Sequence, residues 1–223
     1  MAWRCSGVTN EALINNMVEA GLINSPRVSE AMKSVDRAHY APEAPYQDSP
    51  QSIGHRATIS APHMHAAAAE SLLPYLRPGA SVLDVGSGSG YLTHVLAELV
   101  QPGGKVVGVE HITALRDMGE SNLSKSEEGK AMLEGKTVEF VRADGRLGWR
   151  SGAPWDAIHV GAAANGLPDH LVEQLKAPGR LFIPVEENGS QHIYVIDKSA
   201  DGTVTKKRDM GVRYVPLTDA PAD

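Results

Sequence analysis

The stretch Val82-Leu83-Asp84-Val85-Gly86-Ser87-Gly88-Ser89-Gly90 constrains this chain more than any other segment. An apolar run from Ser81 to Val85 meets glycines at alternate positions, and Tyr91-Leu92-Thr93 then opens a helical pattern. That order predicts a strand, a tight turn and a helix N-terminus. Glycine has no Cβ and tolerates positive φ, so backbone can come close to a ligand there. The free N–H groups of the first helical turn can face the same ligand. The spacing departs from the dinucleotide fingerprint, because Tyr91 stands where G-x-G-x-x-G has its third glycine. Asp84, two residues before Gly86, would repel a pyrophosphate. The loop suits a nucleoside carrying a cationic amine better than one carrying phosphates.

A chain of 223 residues can form one α/β domain, with two small domains the weaker option. The net charge of −6 argues against a nucleic-acid partner, which calls for a basic face. No apolar run reaches the roughly 18 residues of a membrane span, and Met1 to Cys5 lacks the apolar core of a signal peptide. Cys5 is the single cysteine and cannot form an internal disulfide. The expected address is therefore cytoplasmic.

The patterning predicts helices over 9–20, with Thr9 or Asn10 as the cap, from Ser25-Pro26 to about Val35, and over 62–73. Residues 40–58 read as an irregular connection. From Ser81 the rhythm alternates. Strand-like runs fall at 81–85, 105–110, 138–143, 157–162, 180–185 and 191–197, with helices over 91–100, 112–123 and 168–176. The polar run Asn122 to Gly135 reads as a mobile surface loop. The fold class expected is α/β: a doubly wound, mostly parallel, Rossmann-like sheet with added N-terminal helices. One domain spans 1–223, its helical and substrate-side segment at 1–79 and its cofactor-binding sheet and C-terminal strands at 80–223.

Three carboxylates end three successive strands: Asp84, Glu110 and Asp144. Glu110 lies 24 residues beyond Gly86, where an acid can accept hydrogen bonds from both ribose hydroxyls. Asp144-Gly145 could meet the exocyclic amine of an adenine, and Asp84 the amino-acid end of a ligand such as S-adenosylmethionine. A second informative segment is Ala57-Thr58-Ile59-Ser60-Ala61-Pro62-His63-Met64-His65-Ala66. Its plainest reading is helix capping by Ser60, with Pro62 presetting φ. His63 and His65 point apart on a helix, and without a Cys cluster or H-E-x-x-H no metal site is expected. No G-x-S-x-G elbow surrounds Ser60, which disfavours a hydrolase nucleophile.

Together these residues resemble the protein-L-isoaspartate (D-aspartate) O-methyltransferase family. The likeness runs from Asp48-Ser49-Pro50-Gln51-Ser52-Ile53-Gly54 through the Thr58 to Ala66 string and the glycine loop. It continues over Trp155 to Ala164 and Gly179 to Val185 and ends at Tyr214-Val215-Pro216-Leu217-Thr218-Asp219, covering nearly the whole chain. The glycine loop alone marks the broad class of S-adenosylmethionine-dependent methyltransferases; the Ser60 segment is far more specific.

The resemblance implies a repair enzyme, active as a monomer on isoaspartyl-containing proteins and peptides. It uses S-adenosyl-L-methionine and leaves S-adenosyl-L-homocysteine; on the charge and patterning above, no metal, nucleic acid or membrane is expected as partner. The free α-carboxylate of an L-isoaspartyl or D-aspartyl residue receives the methyl group, and the ester then collapses to a succinimide that partly reopens to normal aspartate. By matching positions, Ser60 is the implied catalytic residue. Ala57, Thr58, Ile59, Ser60, His65, Asp84, Gly86, Gly88, Glu110, His111, Asp144, Gly145 and Thr218 are implied in cofactor binding. After Asp219 the chain reads Ala220-Pro221-Ala222-Asp223, where some relatives carry a Gln and a basic tail. Two rivals stay open on the residues alone: a nicotinamide-dependent oxidoreductase, and a reader of damaged aspartyl sites without turnover.

Overall fold

A computed structural model describes residues 5–219. Helix α1 (Asn10–Glu19) starts at Thr9, whose Oγ1 accepts from the Ala12 N–H at 3.1 Å. Asn10 does not cap. Its buried amide donates to the carbonyls of Met32 and Val35 at 2.9 and 3.3 Å, tying α1 to the end of α2 (Pro26–Ser34). Strands β1 (Gln51–Gly54) and β2 (Ala57–Ile59) form an antiparallel hairpin within the segment expected to be irregular. Its two-residue turn holds His55 and Arg56 at φ 51° and 57°, the left-handed geometry that matches the twist of a tight hairpin.

Helix α3 (Pro62–Leu72) leads into the main sheet. The alternating unit comprises β3 (Ser81–Val85), α4 (Tyr91–Leu99), β4 (Lys105–Glu110), α5 (Thr113–Leu123), α6 (Glu127–Glu134) and β5 (Val138–Arg142). There follow β6 (Trp155–Val160), the short β7 (Ala164–Asn165), α7 (Asp169–Gln174), β8 (Leu175–Glu187), β9 (Ser190–Lys198) and β10 (Val204–Val212). The strand order is β10-β9-β8-β6-β3-β4-β5, with β7 beside β8. Pairings from β5 across to β8 are parallel, and β9 and β10 add as antiparallel neighbours. The chain builds β3, β4 and β5 outward, then returns to lay β6 on the other side of β3. That reversal opens a crevice above the carboxyl ends of β3 and β6, the usual ligand position in such sheets.

Period-two alternation sorts β3 between two cores. Val82 packs with α1–α4 on one face, while Leu83 and Val85 pack on the other with Ile158, Val160, Ile183 and Leu171 of α7. Asp84 shares the face of Val82, so its side chain lies under α4 rather than out along the strand axis. Gly90, at the start of α4, has φ +84°, and a Cβ there would lie 3.0 Å from Phe140 and 3.1 Å from the backbone of Gly119. Gly90→Ala is expected to destabilise the fold by about 1–3 kcal/mol. An unchanged denaturant midpoint would contradict this packing.

Several boundaries differ from those read in the sequence. Residues 127–134 form α6 rather than a loop: the Ser126 Oγ accepts from the Gly129 N–H at 3.0 Å, Glu127 and Glu128 occupy the first turn, and Met132 is buried. Strand β6 covers 155–160 rather than 157–162, and β8 begins at 175 rather than 180. Strand β10 was not foreseen. It lies at the sheet edge with Val204 to Gly211 exposed.

Candidate active site

A cavity of about 470 Å³ sits above the carboxyl ends of β3 and β4. Its floor is backbone from the glycine turn (Gly86, Gly88), Gly145 and Gly161. The turn is braced from below, since the N–H groups of Gly86 and Ser87 both donate to the Val109 carbonyl at 2.8 and 3.1 Å. Gly86 takes φ +74°, which keeps side-chain bulk out of the floor.

Glu110 closes one side of the cavity and is 95% buried (5% exposed). One carboxylate oxygen accepts from the N–H groups of His111 and Ile112 at 2.8 and 3.1 Å, the other from the Gly88 N–H at 3.1 Å. A carboxylate offers about four acceptor sites. Three neutral backbone donors thus fix the group, and capacity remains for a ligand hydroxyl. His111, Ile112 and Leu115 continue this wall.

The hairpin turn supplies the opposite wall through His55, Arg56, Ala57 and Thr58. The segment after β10 forms the third, with Val215 to Asp219 at the cavity. That segment is strapped down: the Ala163 N–H donates to the Val215 carbonyl and the Leu217 N–H to the Ala163 carbonyl, both at 2.8 Å. The Gln191 side chain accepts from the Tyr214 N–H at 2.6 Å, and the Arg146 guanidinium pairs with Asp219. Thr218 is thereby brought to the cavity, and residues 220–223 lie outside the described residues.

Asp84 is buried. Its oxygens accept from Thr93 Oγ1 of α4 at 2.6 Å and from His159 Nδ1 of β6 at 2.7 Å. It lines a small recess beneath the turn together with Ser60, His65, Gly86, Gly88 and Tyr91, among others. The recess and the larger cavity share Thr58, Gly86, Gly88 and Gly161. Asp144 is placed differently from the other two carboxylates. Both its oxygens are held by Arg146 at 2.7–3.1 Å, which keeps its carboxyl below the usual range, and it is Gly145 that lines the cavity.

Ser60 does not cap α3. The cap position falls on Ala61, which makes no side-chain bond, and the Asp48 carboxylate accepts from the His63 N–H instead at 3.0 Å. The Ser60 carbonyl accepts from Arg37 Nη2 at 2.7 Å, and Arg37 Nη1 meets His65 Nδ1 at 3.2 Å. Arg37 is fully buried, its guanidinium 5.0 Å from the Tyr91 ring centroid. Burial lowers its pKa to about 10, so it stays charged at neutral pH. Burial first, and the Arg37 cation second, push His65 well below the ordinary histidine range. His65 is therefore neutral, and its Nδ1 accepts from Arg37.

Ser60 and Tyr214 line the same cavity. Burial pushes the Tyr214 phenol up to about 12, with the neighbouring Ser60 hydroxyl acting the other way. Two neutral hydroxyls thus stand together in a second cavity of about 510 Å³, lined also by Pro50, His63, Met64, Val212 and Arg213. This cavity shares Thr58, Gly161 and Val215 with the first. A nucleoside in one and a carboxylate in the other would meet at that shared wall. Sequence reasoning missed Arg37, Asp48 and Tyr214 as parts of the site. Only Asp48 and Tyr214 stood in motifs that pointed there. Among the described residues no group of three or more His, Cys, Asp or Glu side chains is placed to hold a metal ion.

The model of the protein-L-isoaspartate(D-aspartate) O-methyltransferase family matches residues 8–222. The chain belongs to this family. A protein-L-isoaspartate O-methyltransferase of Triticum aestivum is 50% identical over 215 residues, 96% of this chain and 93% of its relative. The Caenorhabditis elegans enzyme of that name is 49% identical over 219 residues, 98% and 96% of the two chains. Among solved structures, a protein-L-isoaspartate O-methyltransferase of Plasmodium falciparum in complex with S-adenosyl-L-homocysteine superposes with a TM-score of 0.89. It is 34% identical, covering 96% of this chain and all (100%) of that one. The methyltransferase described here is accordingly an S-adenosylmethionine-dependent protein carboxyl O-methyltransferase that repairs isoaspartyl sites. Its residues fit that nucleoside: a glycine-lined floor, a braced acid at the end of the second strand and a volume within the usual range of small-molecule sites.

Proposed function

We propose that the two cavities divide the reaction. The larger takes the nucleoside, with Gly86, Gly88 and Gly145 beneath it. Glu110 accepts from the ribose hydroxyls, and Ala57, Thr58, His111 and Thr218 close around them. Gly145 meets the adenine from the wall, and Asp144 reaches the exocyclic amine by sharing oxygens with Arg146. Ile59, Ser60, His65 and Asp84 form the narrow end, beneath the amino-acid part of the ligand. The second cavity takes the isoaspartyl chain, and Ser60 positions its carboxylate. The shared wall at Thr58, Gly161 and Val215 is the observation that carries this reading.

The chemistry needs no general base. A free α-carboxylate has a pKa of about 3.3–3.7 and is already a nucleophile at pH 7. Bound S-adenosylmethionine supplies an activated sulfonium methyl. What the protein adds is placement, and holding reacting atoms about 3–3.5 Å apart can supply roughly 7–11 kcal/mol of the barrier. The Ser60 and Tyr214 hydroxyls can each turn a proton towards the carboxylate, and the buried Arg37 cation behind them favours an anion in that cavity. Such a pair orients the carboxylate without removing its nucleophilic charge.

The chain works as a single domain over 1–223, as a cytoplasmic monomer, with no nucleic acid or membrane as partner. The net charge of −6 supports the part about nucleic acid, which calls for a basic face; no helix among the described residues is long and apolar enough to cross a membrane. A crystal structure with S-adenosyl-L-homocysteine and an isoaspartyl hexapeptide tests the division. The expected result has both ribose hydroxyls on Glu110 and the isoaspartyl carboxylate on Ser60. A peptide seated away from the Ser60 cavity would overturn it.

A further inference from the structure

His63 stands in the first turn of α3 and lines the Ser60 cavity, with about a quarter of its side chain exposed (28%). Beneath it lies Asp48, whose side chain is fully buried (0% exposed). One oxygen of Asp48 accepts twice from the same residue: from the His63 backbone N–H at 3.0 Å and from its Nδ1 at 2.7 Å. The other oxygen is buried without a partner. A carboxylate that accepts at Nδ1 places the ring proton there, which sets the tautomer and the ring orientation. The nitrogen left over is Nε2. In the neutral ring Nε2 carries a lone pair, and no protein group among the described residues donates to it.

A helix needs only the backbone contact to be anchored. Asp48 supplies that with the His63 N–H alone, so the second contact, which aims the ring, is surplus to capping. The ring it aims sits at the wall where the damaged chain is proposed to lie. Serine and tyrosine hydroxyls there suit a carboxylate; a lone-pair nitrogen does not, because it repels an anion and attracts an N–H. A peptide offers such donors on both sides of an isoaspartyl unit: the N–H of that residue and the N–H of the residue after it.

We propose that His63, held by Asp48, is a substrate-reading residue whose Nε2 accepts a hydrogen bond from a backbone N–H adjoining the isoaspartyl unit. This rests on the Ser60 cavity being the peptide site. Together the two contacts read a carboxylate and an amide at fixed separation. Recognition of this kind registers the polymer backbone and not only the free carboxylate. A small free acid lacking the amide gains nothing from His63.

The test uses the full chain, S-adenosylmethionine and three isoaspartyl peptides: unmodified, N-methylated at the isoaspartyl nitrogen, and N-methylated at the following residue. His63→Asn is the main variant. Its side-chain N–H can still reach Asp48 in place of Nδ1, while the Nε2 position is emptied, so the anchor is kept and the reader removed. In the unaltered protein one of the two N-methyl peptides is expected to show KM raised about tenfold, the loss of one net hydrogen bond, with kcat changed much less. His63→Asn is expected to show the same rise with the unmodified peptide and no further rise with that N-methyl peptide. Its dissociation constant for S-adenosyl-L-homocysteine stays as in the unaltered protein. His63→Gln, which returns an amide to the Nε2 position, recovers part of the lost KM. Penalties for the variant and for N-methylation that simply multiply would overturn the proposal. So would an unchanged KM for His63→Asn, or the absence of any N-methyl penalty in the unaltered protein. If the unaltered protein methylates no isoaspartyl peptide, it is the underlying reading that fails, and the two failures are told apart by that control.

Discussion

Ser60→Ala is expected to fold normally, to keep its affinity for S-adenosyl-L-homocysteine within about a few-fold of the unaltered chain's, and to lose methyl transfer by on the order of 10²-fold in kcat. The size follows from what the hydroxyl does. It neither attacks nor removes a proton; it fixes the orientation of a carboxylate that is reactive by itself. Misplacing that carboxylate by about 1 Å costs roughly 10²-fold. The fold is spared because Ser60 caps nothing: the α3 terminus is held by Asp48, and Arg37 grips the Ser60 carbonyl, which alanine keeps. Ser60→Thr retains the hydroxyl and should recover part of the rate. Steady-state kinetics on an isoaspartyl peptide checks this directly. A variant with full turnover would remove Ser60 from the reaction.

Glu110→Ala is expected to weaken S-adenosyl-L-homocysteine binding by about 10- to 100-fold, from the loss of charge-assisted bonds worth about 1.5–3 kcal/mol each, partly offset by water. The carboxylate also braces the N–H groups of Gly88, His111 and Ile112, so its removal loosens the turn and wall that shape the cavity. Glu110→Gln keeps one acceptor oxygen and should fall between the two. Calorimetry reads this without any need for turnover, and an unchanged dissociation constant would count against the ribose contact.

Much of the central sheet was legible because its strands are buried on both faces and read as short apolar runs with clear punctuation. Strand ends were less so, since Gly161 and Ala162 look as apolar as the strand they leave. The edge was silent for a physical reason: β10 carries Lys206-Lys207-Arg208-Asp209 and buries no face, so no alternation marks it. The β1–β2 hairpin was hidden because His55 and Arg56 take a turn usually marked by Asn or Gly. Helix α6 carried its signal in Ser126-Glu127-Glu128, a cap followed by acids, which polarity alone concealed.

Within the site, the positions of Glu110 and the glycine turn followed from strand order. The inward turn of Asp84 followed from alternation once β3 was in register. The expected capping role of Ser60 did not survive, because Asp48 reaches the helix terminus from 15 residues upstream. Arg37 could not be foreseen. It comes from a short turn after α2, and its approach to Ser60 exists only through tertiary packing.

The most direct measurement is transfer of labelled methyl from S-adenosylmethionine to an isoaspartyl peptide beside its normal aspartyl twin. Base-labile methyl ester is expected on the isoaspartyl peptide alone, formed on the order of 10²-fold more slowly with Ser60→Ala. Equal labelling of both peptides, or label on neither, would contradict a site built to position a free α-carboxylate at the wall shared by the two cavities.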